Sequence, residues 1–275
     1  FYSSGKPIFY VNTYDNEIIK ISPDEEKIPI NVNISIKDYL AVYGFNISEY
    51  VKDDRYIYDR KHITETLVQL AINRQKLIGE INSKFPKDFD KVEYPIKITL
   101  HDDKDIIRIC GILENQGLVQ RTRQTTIHIP DVETAKYLRG FWFEEYVYMT
   151  AKSLNVNEVR LNVSGKWDTT GKKPPKNEFD VLVAKSNRLF YISCKTANPN
   201  RHIDGSDEAV GKEYLYELDA LGDRALGVFG KKMLASARPV ADDYVKSRAE
   251  DMKITIVDGK NIATLKDNMK QWLNK

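Results

Sequence analysis

Residues 177–196, NEFDVLVAKSNRLFYISCKT, form two apolar runs around a short polar turn, interrupted by three charged residues, Glu178, Asp180 and Lys195. A two-residue loop at Ser186 and Asn187 would fix the antiparallel register of a hairpin. It sets Asp180 opposite Ser193 and Glu178 opposite Lys195, and strand alternation then puts all four on one face. Phe179, Val181, Val183, Phe190, Ile192 and Cys194 take the other face, which reads as core. A longer loop of the same parity keeps this arrangement, whereas a slip of one residue in one strand destroys it.

Two carboxylates held close together repel unless a positive charge sits between them. Hard divalent cations such as Mg²⁺ or Mn²⁺ accept such oxygen ligands and usually keep several waters. A cation of this kind can activate water and stabilise charge on a phosphodiester, while a neighbouring lysine positions the nucleophile or neutralises developing charge. The pattern therefore fits hydrolytic nuclease chemistry. The plain alternative is a surface-facing hairpin whose charges form ordinary salt bridges.

The rest of the chain narrows the class. With 275 residues, 41% of them hydrophobic, it can bury a proper core and is long enough for more than one domain. Lys and Arg total 42 against 40 Asp and Glu, a net charge of +2, so a nucleic-acid surface has to be a local patch. The two cysteines, Cys110 and Cys194, lack zinc-site spacing and read as buried thiols of a reduced protein. His62, His101, His128 and His202 show no metal spacing and read as surface or loop residues. No run approaches a membrane span and no signal peptide opens the chain, so a cytoplasmic protein with no membrane partner is expected. The chain lacks a starting Met and opens almost directly on a strand pattern, from which a missing amino-terminal portion is expected.

From the amino terminus, residues 7–22 read as a hairpin and 35–44 as a short helix that Ser35 caps and Gly44 ends. Residues 62–85 read as one helix, with Ile63, Leu67, Leu70, Ile78 and Ile81 at helical spacing. A further helix, a turn at Gly117 and two β-prone pieces come next, which suggests a winged-helix-like module. Its Arg121 and Arg123 lie where a wing meets phosphates, but without a basic stripe a connecting or dimerising role is the expectation. From Asp131 the order αβββαβαβα suggests a mixed α/β sheet flanked by helices. The cationic loop at 169–177 is a linker or a contact for a nucleic-acid backbone.

In that order and topology, GFWFEEYV (140–147), NEFDVL (177–182) and ISCKT (192–196) resemble the PD-(D/E)xK restriction-endonuclease-like superfamily. More narrowly they resemble the nuclease domain of CRISPR-associated CARF-nuclease proteins, ancillary effectors of type III systems. Residues 6–44 are similar to the closing part of the CARF domain, a Rossmann-like fold, and 214–259 to the closing helix and strands of the nuclease. The resemblance implies three parts: 1–48 as the carboxy-terminal part of a CARF-like sensor, 49–130 as a helical, winged-helix-like connector, and 131–275 as the nuclease. It implies Asp180 as metal-binding acid, Lys195 as catalytic lysine, Glu178 as the acid of the N-E-x-D motif and Glu144 as the helix carboxylate of the G-x-W-x-E motif.

The same resemblance implies an endonuclease that uses Mn²⁺ or Mg²⁺ to cleave DNA and/or RNA in antiviral defence. It would be homodimeric, with a cyclic oligoadenylate bound across the dimer interface as activator. Ser3, Ser4, Gly5 and Lys6 are the one turn suggestive of a phosphate cradle, and a short turn of this composition is more often only a turn.

One position departs from the pattern. Many relatives carry Glu two residues before the lysine, where this chain has Ser193. Either Glu178 or Glu144 supplies the missing carboxylate, or the site binds metal weakly, or activity is lost. The first is preferred, through Glu178, because the hairpin pattern gives it the same face one pleat away. The last would leave a catalytically silent nucleotide-sensing or nucleic-acid-binding protein that keeps the nuclease fold. Adjacent helical residues point about 100° apart, so only one of Glu144 and Glu145 can face the buried side. The motif selects Glu144 and leaves Glu145 as a solvated charge.

Overall fold

Five of the six residues that make the hairpin's core runs, Phe179, Val181, Val183, Phe190 and Ile192, are wholly removed from solvent. The computed structural model describes residues 6–12, 15, 17–29, 32–86, 88–169, 173–203 and 208–274. The turn at Ser3–Gly5 lies outside the described residues, as does part of the 169–177 loop.

In chain order the elements are β1 (Ile8–Asn12), β2 (Glu17–Ser22), β3 (Glu26–Pro29), α1 (Ile36–Val42), β4 (Phe45–Glu49), α2 (Arg55–Asp59), α3 (Lys61–Asn73), α4 (Gln75–Lys84), β5 (Ile96–Thr99), α5 (Lys104–Asn115), β6 (Gln120–Arg123) and β7 (Thr126–Ile129). After them come α6 (Val132–Lys136), α7 (Trp142–Lys152), β8 (Glu158–Trp167), β9 (Lys176–Lys185), β10 (Arg188–Lys195), α8 (Val210–Ala225), β11 (Lys231–Ser236), α9 (Asp243–Asp251), β12 (Ile254–Asp258) and α10 (Leu265–Asn274). One π-helical turn, Tyr137–Phe141, joins α6 to α7.

The main sheet has the order β12-β11-β10-β9-β8-β4. Strands β10, β11 and β12 run parallel, and β9, β8 and β4 add on antiparallel. The fold is thus a mixed α/β sheet flanked by helices. Both its faces are covered: one by a core layer containing α7, α10 and the helical module, the other by α1, α8 and α9. This explains why β10 reads as a nearly unbroken apolar run, since a strand buried on both faces has no polar side to show. Leu189, Phe190, Tyr191 and Ile192 are at most 2% exposed, and each such side chain contributes about 1.5–3 kcal/mol. That burial removes the surface-hairpin alternative.

Two sequence expectations change. The division after residue 48 falls inside β4, which is the edge strand of the main sheet, pairing Phe45 with Trp167 and Asn46 with Lys166. Phe45 packs edge-on against Trp167 and Phe179, at ring distances of 4.9 and 5.2 Å. Gly165 makes this approach possible, because a Cβ there would lie 2.3 Å from the Asn46 carbonyl. Second, the helix expected over 62–85 breaks at Arg74, whose guanidinium reaches Asp103 at 2.6 Å and Asp105 at 2.7 Å at the start of α5. On the wing, Arg121 is paired with Glu114 at 2.9 Å. The wing itself is the three-stranded sheet β5-β7-β6.

Ser35 does cap α1, accepting from the Asp38 amide at 3.1 Å, and Gly44 comes just after it at φ 76°. Both cysteines are free and buried. Among the described residues no helix is long and apolar enough to cross a membrane.

Candidate active site

The hairpin turn is Ser186 and Asn187 at φ 49° and 55°, the left-handed pair that a tight two-residue hairpin requires. The register runs from Arg188↔Lys185 to Ile192↔Val181, so the next rung brings Asp180 to Ser193. There the Ser193 hydroxyl donates to Asp180 Oδ2 at 3.2 Å, and the Cys194 amide donates to the same oxygen at 2.6 Å. Burial raises the pKa of Asp180, while Lys195 and these two donors hold it down.

On the other side of β9 the alternation breaks. Pairing with β8 skips from Leu161↔Val181 to Val163↔Phe179, and the intervening Asn162 lies at φ 52°. In consequence Leu161 and Val181 pack in the α7 layer, while Val163 and Phe179 pack in the α8 layer beside Tyr191. Phe179 therefore does not share the face of Val181, as strict alternation requires. Glu178 is turned too: it lines a recess with Lys136, Phe141 and Glu145 on the α7 side. Its side chain reaches solvent, yet partial desolvation, Asp180 and Glu49 all raise its pKa.

Lys195 ends β10. Burial pulls its pKa down, but Asp180 and Glu217 outweigh burial and the net shift is upward. Its ammonium meets the Glu217 carboxylate at 3.3 Å and sits 5.3 Å from the centre of the Tyr214 ring. Sequence reasoning missed Glu217. The available signal was its spacing, three residues after Tyr214 on α8, which puts both on one helical face.

Glu144 projects from α7. Its pKa is driven well above the ordinary value by burial first, then by Asp180 and Glu178, with Lys195 opposing. The four residues named from the motifs thus lie in one electrostatic neighbourhood. Gly140 seats α7 against the end of β10, since a Cβ there would lie 3.1 Å from Thr196 Oγ1. Thr196 Oγ1 in turn donates to the Arg139 carbonyl at 3.2 Å. Cys194 is a packing group: burial, Asp180 and Glu144 push its thiol well up, away from the reactive thiolate.

Glu145 is not a solvated charge. It is 3% exposed and forms a two-pronged pair with Arg60 from the start of α3, one contact at 3.0 Å. Arg60 also lies 3.9 Å from the Tyr137 ring centre. The helix withdraws both neighbouring glutamates from water because the helical module covers the side that would otherwise face it.

Arg238 is a second residue outside the motifs. It follows Ala237, whose amide donates to the Lys195 carbonyl at 2.8 Å, and it packs against Gly79 of α4. Burial lowers its pKa, and no carboxylate among the described residues offsets it. Among the described residues no three Asp, Glu, His or Cys side chains are grouped closely enough to hold a metal by themselves. Asp180 with a single glutamate remains as a donor set of hard oxygens, the number a Mg²⁺-type ion commonly takes from protein when water and substrate phosphate fill the remainder.

Residues 131–275 match the family model described as Card1-like, endonuclease domain. The chain belongs to the Card1-like endonuclease family. Two solved structures extend the likeness of fold beyond that domain. Protein VC1899 from Vibrio cholerae aligns with a TM-score of 0.80 at 22% identity, over 99% of this chain and 70% of its own. Can2 from Sulfobacillus thermosulfidooxidans, solved in complex with cyclic tetra-adenylate, aligns with a TM-score of 0.73 at 22% identity, over 98% of this chain and 68% of its own. No curated protein sequence matches the chain. The Card1-like domain therefore contains the whole of the Glu144, Glu178, Asp180 and Lys195 neighbourhood.

Proposed function

We propose that the chain is a divalent-metal-dependent endonuclease that cleaves phosphodiester bonds in DNA and/or RNA, switched on by a cyclic oligoadenylate in type III CRISPR defence. The observation that carries the metal requirement is the crowding of carboxylates around Glu144, which burial, Asp180 and Glu178 drive well above its ordinary pKa, with Asp180 also raising that of Glu178. A Mn²⁺ or Mg²⁺ ion held by Asp180 and Glu144 would relieve that repulsion and supply an activated water and a counter-charge for the phosphodiester. Glu144 is preferred to Glu178 as the second ligand because the kink at Asn162 turns Glu178 toward the recess.

The chain's own residues do the rest. The Cys194 amide and Ser193 hydroxyl hold the Asp180 carboxylate in place, so Ser193 supports the acid instead of supplying one. Lys195 remains charged and faces the substrate phosphate, with Glu217 limiting its mobility. Arg238, which has no carboxylate partner among the described residues, takes a neighbouring phosphate of the same strand.

Activation by cyclic oligoadenylate rests on the family and on the fold shared with Can2. Homodimerisation is supported by Phe9, Val11, Ile21 and Ile28 on the first sheet, all of them more than a third exposed. The test is incubation of the chain with labelled single- and double-stranded DNA and RNA, with Mn²⁺ or EDTA, and with or without cyclic oligoadenylate. Cleavage that needs Mn²⁺ and rises with the nucleotide is expected, and absence of cleavage under every condition would favour the silent, nucleic-acid-binding reading.

A further inference from the structure

Beside the carboxylate cluster lies a recess of about 670 Å³, with Glu178 at one edge and Asn162 in its wall. Asn162 is unusual twice over. Its backbone is left-handed at φ 52° in the middle of a strand, a conformation costing about 1–3 kcal/mol that persists where the surroundings impose it and that clusters at functional sites. Its side-chain Oδ1 is buried and meets no hydrogen-bond donor among the described residues. A buried acceptor without a partner is costly, and a site built this way gains by receiving a donor.

The other lining groups say what kind of donor fits. Tyr50, Tyr56 and Phe141 offer aromatic surface. Of the three cations in the lining, Arg60 pairs with Glu145 and Lys136 lies 3.5 Å from Glu133, while Lys52 stands 5.8 Å from the centre of the Tyr50 ring. With Glu49, Asp53 and Glu178 the lining holds five carboxylates against three cations and is acidic on balance. A phosphate is repelled from such a place, whereas a flat, neutral ring with amino hydrogens can stack and donate.

We infer that this recess receives an unpaired nucleobase of the substrate next to the cleaved phosphodiester, and that it selects bases bearing an exocyclic amino group. This rests on the nuclease reading for its biological sense, but it concerns binding and is testable without cleavage. Adenine, cytosine and guanine carry the amino group that Asn162 Oδ1 accepts; thymine and uracil do not. A base inside a duplex cannot enter, so the recess favours single-stranded substrate.

The experiment is fluorescence anisotropy of the full chain with labelled single-stranded dA, dC and dT tracts in EDTA, where no cut can occur. Wild type is expected to bind dA and dC about fivefold to tenfold more tightly than dT, the range of one discriminating hydrogen bond. Asn162→Gly tolerates the left-handed backbone and should fold, which circular dichroism checks; it should erase the preference by weakening dA and dC alone. Tyr50→Leu should weaken all three tracts and keep the preference. Equal binding of the three tracts by wild type, no binding at all, or an unchanged preference in Asn162→Gly would overturn the inference. Base-selective binding by a chain that cleaves nothing with Mn²⁺ would support the recess while refuting the nuclease reading.

Discussion

The Cys194 amide donates to the Asp180 carboxylate at 2.6 Å, one residue before Lys195. Acid and lysine are thereby fixed two rungs apart on one hairpin, and the separation between them is set by backbone instead of by two free side chains. Glu217 adds a second carboxylate to Lys195 at 3.3 Å.

That second contact predicts a pH effect. Asp180 and Glu217 raise the pKa of Lys195 against the opposing pull of burial, so Glu217→Gln moves it down. The alkaline limit of activity should shift to lower pH, with the rate at neutral pH within about tenfold of wild type. A pH–rate profile of both proteins checks this.

Glu144 predicts a stability effect in metal-free protein. Its folded pKa lies well above the ordinary 4.5, so in that window the folded state keeps a proton that the unfolded state releases. Its stabilising contribution is complete below the unfolded value and is lost as pH rises through the folded one. Glu144→Gln has no such proton to lose. In EDTA it should flatten the pH slope of Tm and add about 1 kcal/mol at neutral pH, while reducing Mn²⁺-dependent activity about a hundredfold or more. Glu178→Gln, at the rim, should cost about tenfold in activity. Calorimetry across pH and initial rates for both variants test the assignment of ligands.

Glu145 gives the opposite pattern. Removing the charge from a 3% exposed carboxylate leaves Arg60 facing a neutral group. Glu145→Gln should destabilise the protein by about 3 kcal/mol, as when a buried pair is broken, with little change in kcat of the folded fraction. Denaturant unfolding measures the first and a cleavage assay the second.

Ser193 is 2% exposed and bonded to Asp180. Ser193→Glu places another carboxylate in that corner, so the metal-free protein should lose about 2 kcal/mol and the Mn²⁺ concentration for half-maximal activity should fall. Lower stability without tighter metal use would argue that the position does not face the cation.

The hairpin register was legible because a two-residue turn leaves no freedom of parity, and the meeting of Asp180 with Ser193 was legible with it. The break in alternation at Asn162 was not. Its only trace is an asparagine in the β8 run EVRLNVSGKW, a residue type enriched at left-handed positions but seldom left-handed in any one strand. The burial of Glu145 depends on Arg60, 85 residues earlier, and the edge strand β4 pairs across more than 100 residues with β8. Local periodicity carries no information about such partners. Arg238 likewise gains meaning from what does not face it.

The most direct test is a Mn²⁺ titration of cleavage by wild type, Asp180→Asn and Lys195→Ala on one labelled single-stranded substrate. The expected result is saturable metal-dependent cleavage by wild type and rates at least about a hundredfold lower for both variants at every Mn²⁺ concentration, with folding retained. Cleavage by wild type that persists unchanged in EDTA, or full activity in Asp180→Asn, would contradict the account.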